Sequence, residues 1–233
     1  MAQSCPAPRD LRHIGVGSCG ISNYDAIPLT RRLMAFSPTA CTRLLDLGCG
    51  NGRYLVYFCL ALADLENAWG IEPSAKSCED ARKLVTHHGL DDRVSIIHGT
   101  AASALKVDNE LSHNFAVIGF VLREILGQAG RQVIVDIIKG LVGSFPELSL
   151  VVIEVDGELA DIKYMSVGIK LAYYNPYSTL HPFNLQILES SLFWEAVFHD
   201  AGHKILSCLT TDTKVDSTGL EIGFFCAELT NRD

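Results

Sequence analysis

The residues best suited to chemistry stand where an apolar run, Leu44-Leu45-Asp46-Leu47, passes into Gly48-Cys49-Gly50-Asn51-Gly52. Glycine at every second position lets the backbone turn sharply and approach a ligand with no β-carbon between them. A second apolar run, Ala68-Trp69-Gly70-Ile71, ends on Glu72 and Pro73. A carboxylate there can accept both hydroxyls of a ribose, a role that an acid at this spacing also plays toward dinucleotides. The glycine pattern separates the two ligands. A dinucleotide cradle requires G-x-G-x-x-G, whereas this chain has G-x-G-x-G followed by Arg53, with an aspartate two residues ahead of the first glycine.

Asp46 would lie near the amino-acid portion of a nucleoside ligand, where an ammonium group satisfies a carboxylate. S-adenosylmethionine has such an ammonium and NAD does not, so S-adenosylmethionine is the expected cofactor. Its expected contacts are Asp46, Gly48, Gly50, Asn51, Glu72, Pro73, Thr100, Ala101 and Phe120. The plainer alternatives are a turn-capping Asp46 and a solvated Glu72. The two acids occurring together favour the nucleoside.

These residues need a scaffold that brings strand ends together. Residues 43–47 read as a buried strand, 52–65 as a helix, 68–72 as a second strand and 74–88 as a helix closed by Gly89. Residues 94–98 read as a third strand and 115–120 as a fourth. Residues 131–142 form an amphipathic helix and 148–155 a fifth strand. A short helix over 25–36 precedes this series. Repeated strand–helix–strand units require right-handed crossovers and a parallel sheet, a Rossmann-like doubly wound α/β fold with its ligand at the carboxyl edge. Residues 185–201 look helical. Strands at 205–210 and 221–229, joined by a short linker, read as an antiparallel hairpin closing the sheet. Residues 1–20, rich in proline and glycine, are expected to form a flexible arm before a single domain over 21–233, with a lid or substrate segment near 157–190.

The bulk properties narrow the partners. The chain has 233 residues, 48% of them hydrophobic and 20% charged, which fits one globular domain and excludes a disordered scaffold. Its net charge of −8, with no Lys/Arg cluster, argues against nucleic acid. The eight cysteines include no C-x-x-C pair and no zinc-like Cys/His spacing, so reduced core thiols and no metal are expected. With no run of 18 apolar residues and no export leader, a cytoplasmic protein away from membranes is expected.

From Asp46–Gly52, Glu72 and the terminal strand pair, the chain resembles the class I S-adenosylmethionine-dependent methyltransferases over about residues 21–228. The resemblance implies a seven-stranded sheet whose last strand inserts antiparallel. Ser22-Asn23-Tyr24-Asp25, Leu126-Gly127-Gln128, Tyr173-Tyr174-Asn175-Pro176 and Asp216-Ser217-Thr218-Gly219-Leu220 occur in one order along the chain. They are similar to 2-ketoarginine methyltransferases and related indole C3-methyltransferases, which implies methyl transfer to carbon of a small molecule and a homodimer. Several of those relatives carry histidine where this chain has Arg123.

Methylation at carbon needs an electron-rich nucleophile aligned behind the methyl and one base to take a proton; alignment and a placed base each lower the barrier. The base candidates are His181, Glu124, Tyr24, Tyr174 and Tyr177, and His181 titrates nearest neutral pH. Tyr24 and Tyr173 or Tyr174 could orient an enol oxygen or steady a sulfonium through their ring faces; core packing of a lid is the alternative. Arg123, Tyr173, Asn175 and Tyr177 are the expected substrate contacts. Arg123 would grip the carboxylate of a keto acid or pair with Glu154. Glu124, Glu154 or Asp156 could receive a guanidino group. The expected function is C-methylation of a 2-oxo acid, such as 2-ketoarginine, or of indole carbon 3. The alternatives are methylation at oxygen or nitrogen, and a non-catalytic cofactor-binding protein.

Overall fold

The computed structural model describes residues 26–101, 113–145, 148–157, 185–212 and 221–228. Its first half alternates helix and strand: α1 (Ile27–Met34), β1 (Arg43–Leu47), α2 (Arg53–Ala61), β2 (Asn67–Glu72), α3 (Ala75–His87) and β3 (Val94–His98). Then come β4 (Phe115–Gly119), α4 (Leu122–Ala129), α5 (Arg131–Ser144), β5 (Ser149–Val155), α6 (Ser191–Asp200), β6 (His203–Thr210) and β7 (Glu221–Glu228). The strands form one seven-stranded sheet in the order β3-β2-β1-β4-β5-β7-β6. The pairings from β3 through β5 are parallel, whereas β7 is antiparallel to both β5 and β6. This is the Rossmann-like arrangement expected from the sequence. The terminal hairpin closes it by seating its last strand inside the sheet, with β6 outermost.

Alternation along the strands gives the sheet two apolar faces. Leu45, Leu47, Ala116, Ile118, Leu150 and Val152 face α4, α5 and α6, where Leu126, Ile134, Ile138 and Trp194 meet them. Leu44, Phe115, Val117, Val151 and Ile153 face α1 and α2 through Leu29, Leu33, Leu55 and Phe58. All seven residues of β5 are buried, as a strand covered on both faces requires. Each buried Leu, Ile or Phe contributes about 1.5–3 kcal/mol of transfer free energy, so a continuous double core holds the strand ends in fixed register.

Local signals set the helix limits. Ser74 accepts a hydrogen bond from the Ser77 amide at 3.2 Å and caps α3, and Gly89 past its end takes φ +65. The helix expected over 185–201 begins only at Ser191. Ser190 caps it by accepting from the Phe193 amide, while the residues before it lie against α4 and β5. There Ile187 N donates to Arg123 O at 3.1 Å and Gly157 N to Glu189 O at 2.9 Å. Tertiary hydrogen bonds thus replace helical ones and make a short strap. Arg123 and Glu124, for which the sequence reading assigned no element, lie in the first turn of α4. No helix among the described residues is long and apolar enough to cross a membrane.

Candidate active site

The sheet order reverses between β1 and β4, and in open α/β sheets ligands bind in the crevice outside the carboxyl ends at such a reversal. Here β1 gives way to the glycine turn. The amides of Gly48 and Cys49 both donate to Ile71 O, at 2.8 and 3.1 Å, which ties the turn to the end of β2. Gly48, Gly50 and Gly52 all have positive φ. Their surroundings differ. A β-carbon on Gly48 would run into Val121, and one on Gly52 would lie 2.9 Å from the Ala81 β-carbon, so these two permit close packing. A β-carbon on Gly50 would meet nothing within 4 Å. Gly50 is therefore the position whose bare backbone faces open space, as a ligand cradle requires.

Glu72 holds the cradle from the next strand. Its Oε2 accepts from Gly50 N at 3.1 Å and its Oε1 from Ser74 N at 2.8 Å. Each oxygen keeps a further lone pair. Burial raises the Glu72 pKa against the opposing effect of those two amides, and Glu124 raises it further. Asp46 is 4% exposed, and its Oδ2 has no hydrogen-bond partner among the described residues. Burial, followed by the nearby Glu72, pushes its pKa up to about 7. An orphaned carboxylate oxygen one turn from an open glycine cradle suits a cationic group on a nucleoside, so the residues present fit S-adenosylmethionine.

The other expected contacts fall around this edge. Asn51 Oδ1 accepts from Arg53 N, the first amide of α2, at 3.4 Å, and Pro73 O pairs with His98 Nε2 at 3.0 Å. Gly99 N bonds Glu72 O, which brings Thr100 and Ala101 beside the end of β2; Ala101 packs on the core. Phe120 follows β4 in the left-handed region, φ +60. That conformation costs a residue with a β-carbon about 1–2 kcal/mol and marks functional positions. Glu124 Oε1 accepts from Gln186 Nε2 at 2.6 Å, which fastens the strap to α4. Tyr24, Tyr173, Tyr174, Asn175, Tyr177 and His181 lie outside the described residues, as does most of the expected lid near 157–190.

Arg123 pairs with Glu154. Glu154, at the end of β5, is fully buried and accepts from Arg123 N at 3.3 Å and from Arg123 Nη1 at 3.4 Å. The Arg123 amide lies in the first turn of α4, so a carboxylate on β5 serves that helix end, whose own preceding residue Val121 has no capping side chain. Burial nevertheless raises the Glu154 pKa, with Arg123 as the first opposing influence. A guanidino group on a substrate would therefore find Glu154 already engaged. Sequence reasoning left the Arg123–Glu154 pair as one of two options and missed the capping. It also missed Gly70, where a β-carbon would lie 2.6 Å from Cys49 Sγ; a lone glycine inside a strand was the available signal.

Residues 44–140 match a family model described as a methyltransferase domain. This stretch is similar to methyltransferase domains. Over 228 residues it is 36% identical to the 2-ketoarginine methyltransferase of Streptomyces arginensis, covering 97% of this chain and 64% of that protein. The chain thus spans a little under two thirds of this relative's length. A solved S-adenosylmethionine-dependent methyltransferase from Aquifex aeolicus superposes with a TM-score of 0.65 at 16% identity, over 95% of this chain and all of that one. Mitomycin 7-O-methyltransferase superposes with a TM-score of 0.61 at 17% identity, over 81% of this chain and 49% of that one. At such identities the likeness is one of fold. The stretch matched by the family model covers β1 through most of α5, and so includes the glycine turn, Glu72 and Arg123.

Proposed function

We propose that this chain binds S-adenosylmethionine across the ends of β1 and β2 and methylates a carbon of a small metabolite. The acceptor is a 2-oxo acid, such as the 2-ketoarginine named for the S. arginensis relative, or carbon 3 of an indole. One observation carries the reading: the open cradle at Gly50 is bonded to Glu72 and lies beside the orphaned oxygen of Asp46.

In this reading Asp46 receives the ammonium, and the free lone pairs of Glu72 receive the ribose hydroxyls. Asn51, Pro73, Thr100, Ala101 and Phe120 line the remainder. When bound, the cofactor supplies an electrophilic methyl group on a sulfonium. The chain's own work is to hold the acceptor carbon in line with that methyl and to take one proton from it. Glu124, a described residue of this edge, is proposed to take that proton, and His181, Tyr24 and Tyr174 complete the proposed set. Tyr173, Asn175 and Tyr177, in a substrate-facing segment near 157–190 of a single domain, would contact the acceptor. Two copies form the proposed assembly.

The test couples calorimetry with S-adenosylhomocysteine to turnover of 2-oxo acids and indoles, followed by mass and NMR. Uptake of the nucleoside and a product heavier by one methylene, with the new methyl on carbon, is the expected result. A methyl found on oxygen or nitrogen would overturn the carbon assignment, and no uptake would overturn the cofactor reading.

A further inference from the structure

The strap over 185–190 inverts the pattern that burial favours. Leu185 and Ile187 are 45% and 44% exposed, whereas Gln186 between them is partly buried and turned toward α4. Exposed apolar side chains around an inward polar one gain nothing from the hydrophobic effect, so other contacts set this orientation. Leu185 itself takes φ +54, a left-handed conformation disfavoured for a residue with a β-carbon. Two glycines lie against the strap, where a β-carbon on Gly127 would run into Leu185 O and one on Gly157 would lie 2.8 Å from Glu189 N. Backbone bonds fasten it on both sides: Ile187 N donates to Arg123 O at 3.1 Å, and Gly157 N to Glu189 O at 2.9 Å. What these contacts present to α4 is the Gln186 amide, whose Nε2 donates to Glu124 Oε1 at 2.6 Å. Glu124 stands in the first turn of α4, close enough to Glu72 for its charge to raise the Glu72 pKa, so its carboxylate belongs to the crevice edge.

Resting on the reading that Glu124 takes the acceptor's proton, we propose that Gln186 is the positioning residue of that base: the strap, seated on Gly127 and Gly157, aims the Glu124 carboxylate at the acceptor carbon. A glutamate side chain turns about several bonds and would otherwise sample several rotamers, whereas a base works only within hydrogen-bond reach of the proton it removes. An amide suits the task because it donates without carrying charge. A lysine or arginine in its place would pair with the carboxylate and oppose its protonation. Gln186 exchanges no proton itself; the proton passes from the acceptor carbon to Glu124.

The experiment follows turnover of 2-ketoarginine, 2-oxopentanoate and indole with S-adenosylmethionine, alongside calorimetry with S-adenosylhomocysteine. The wild-type chain is compared with Gln186→Leu, Glu124→Gln and the double variant. Gln186→Leu keeps the bulk and removes the donor. It should lose about tenfold or more in kcat, a part of the roughly 10²–10⁴ that a placed base contributes, with acceptor KM and nucleoside affinity within about twofold of wild type. In the Glu124→Gln background the same substitution should change kcat by less than about twofold, because a residue acting only through Glu124 has nothing left to position. Gly127→Ala, which displaces the strap at Leu185 without altering Gln186 or Glu124 chemically, should reproduce the kcat loss. Wild-type kcat in Gln186→Leu, a loss confined to KM, or an undiminished loss in the Glu124→Gln background overturns the proposal; a purely structural strap would give one of the last two. Wild-type kcat in Glu124→Gln, or no turnover of any acceptor by a wild-type chain that takes up the nucleoside, would instead overturn the reading of Glu124 or of the acceptor, and the positioning role with it.

Discussion

Adding one β-carbon at Gly50 separates cradle from scaffold. Gly50 has φ +54, close to the left-handed minimum, where a residue with a β-carbon loses about 1–2 kcal/mol relative to glycine. Nothing lies within 4 Å of the added carbon, so Gly50→Ala incurs no overlap cost. In a chain of this size 1 kcal/mol moves Tm by about 2–4 °C, so the variant should melt about 2–8 °C lower and remain folded. Gly48→Ala carries the same backbone penalty, φ +79, and also drives its β-carbon into Val121. Overpacking of that kind adds about 1–3 kcal/mol, and its Tm should fall distinctly further. Binding should distinguish them as well. The new methyl of Gly50→Ala projects into the space a nucleoside would use, so S-adenosylhomocysteine should bind about tenfold more weakly or worse, a loss of at least about 1.4 kcal/mol. Calorimetry at one temperature, together with thermal melts, reads both quantities. Binding within twofold of wild type by a folded Gly50→Ala would refute the assignment of this turn as the cradle.

Further perturbations test the electrostatics of the same edge and of the core. The Asp46 carboxyl, raised to about 7, disfavours the folded state as pH climbs from about 4 to 7, by up to about 4 kcal/mol. Asp46→Asn should therefore melt above wild type at pH 8 without ligand, with the gap closing toward pH 4, while binding S-adenosylhomocysteine less well; a gap independent of pH would contradict the burial argument. Glu72→Gln turns one of two amide acceptors into a donor facing Gly50 N or Ser74 N, which should cost about 1–3 kcal/mol and weaken nucleoside uptake. Unchanged melting and uptake would show that the bridge does not hold the turn. His113 sits between Trp69 and Phe145, at 4.6 and 4.7 Å between ring centres, with neither ring nitrogen bonded among the described residues; burial, with Arg43 second, lowers its pKa to about 4. The folded state keeps the ring neutral while the unfolded chain takes up a proton, so stability falls as pH drops from about 6.5 to 4. The Tm advantage of His113→Phe over wild type should accordingly widen across that window, and parallel melting curves would refute it.

Some of this protein was written along its chain. Glycine at alternate positions after an apolar run with an embedded aspartate, and an acid ending the next run, are local signals because sterics and strand periodicity act over a few residues. They sufficed for β1, β2, the turn between β1 and α2, and the acids at its edge. The apolar run 115–120 likewise betrayed a strand buried on both faces. Other features depended on contacts between distant segments. That Gly50 faces open space while Gly48 packs on Val121 depends on where α4 docks. That residues 186–190 run as a strap follows from bonds to Arg123 and Gly157 that no helical propensity encodes. Glu154 shows the division most clearly. In sequence it is an acid inside an apolar strand, open to pairing with a guanidino ligand or with Arg123. Folding buries it fully, points it at the first turn of α4 and pairs it with Arg123. A buried carboxylate must find donors nearby, and only the packed sheet determines which donors those are.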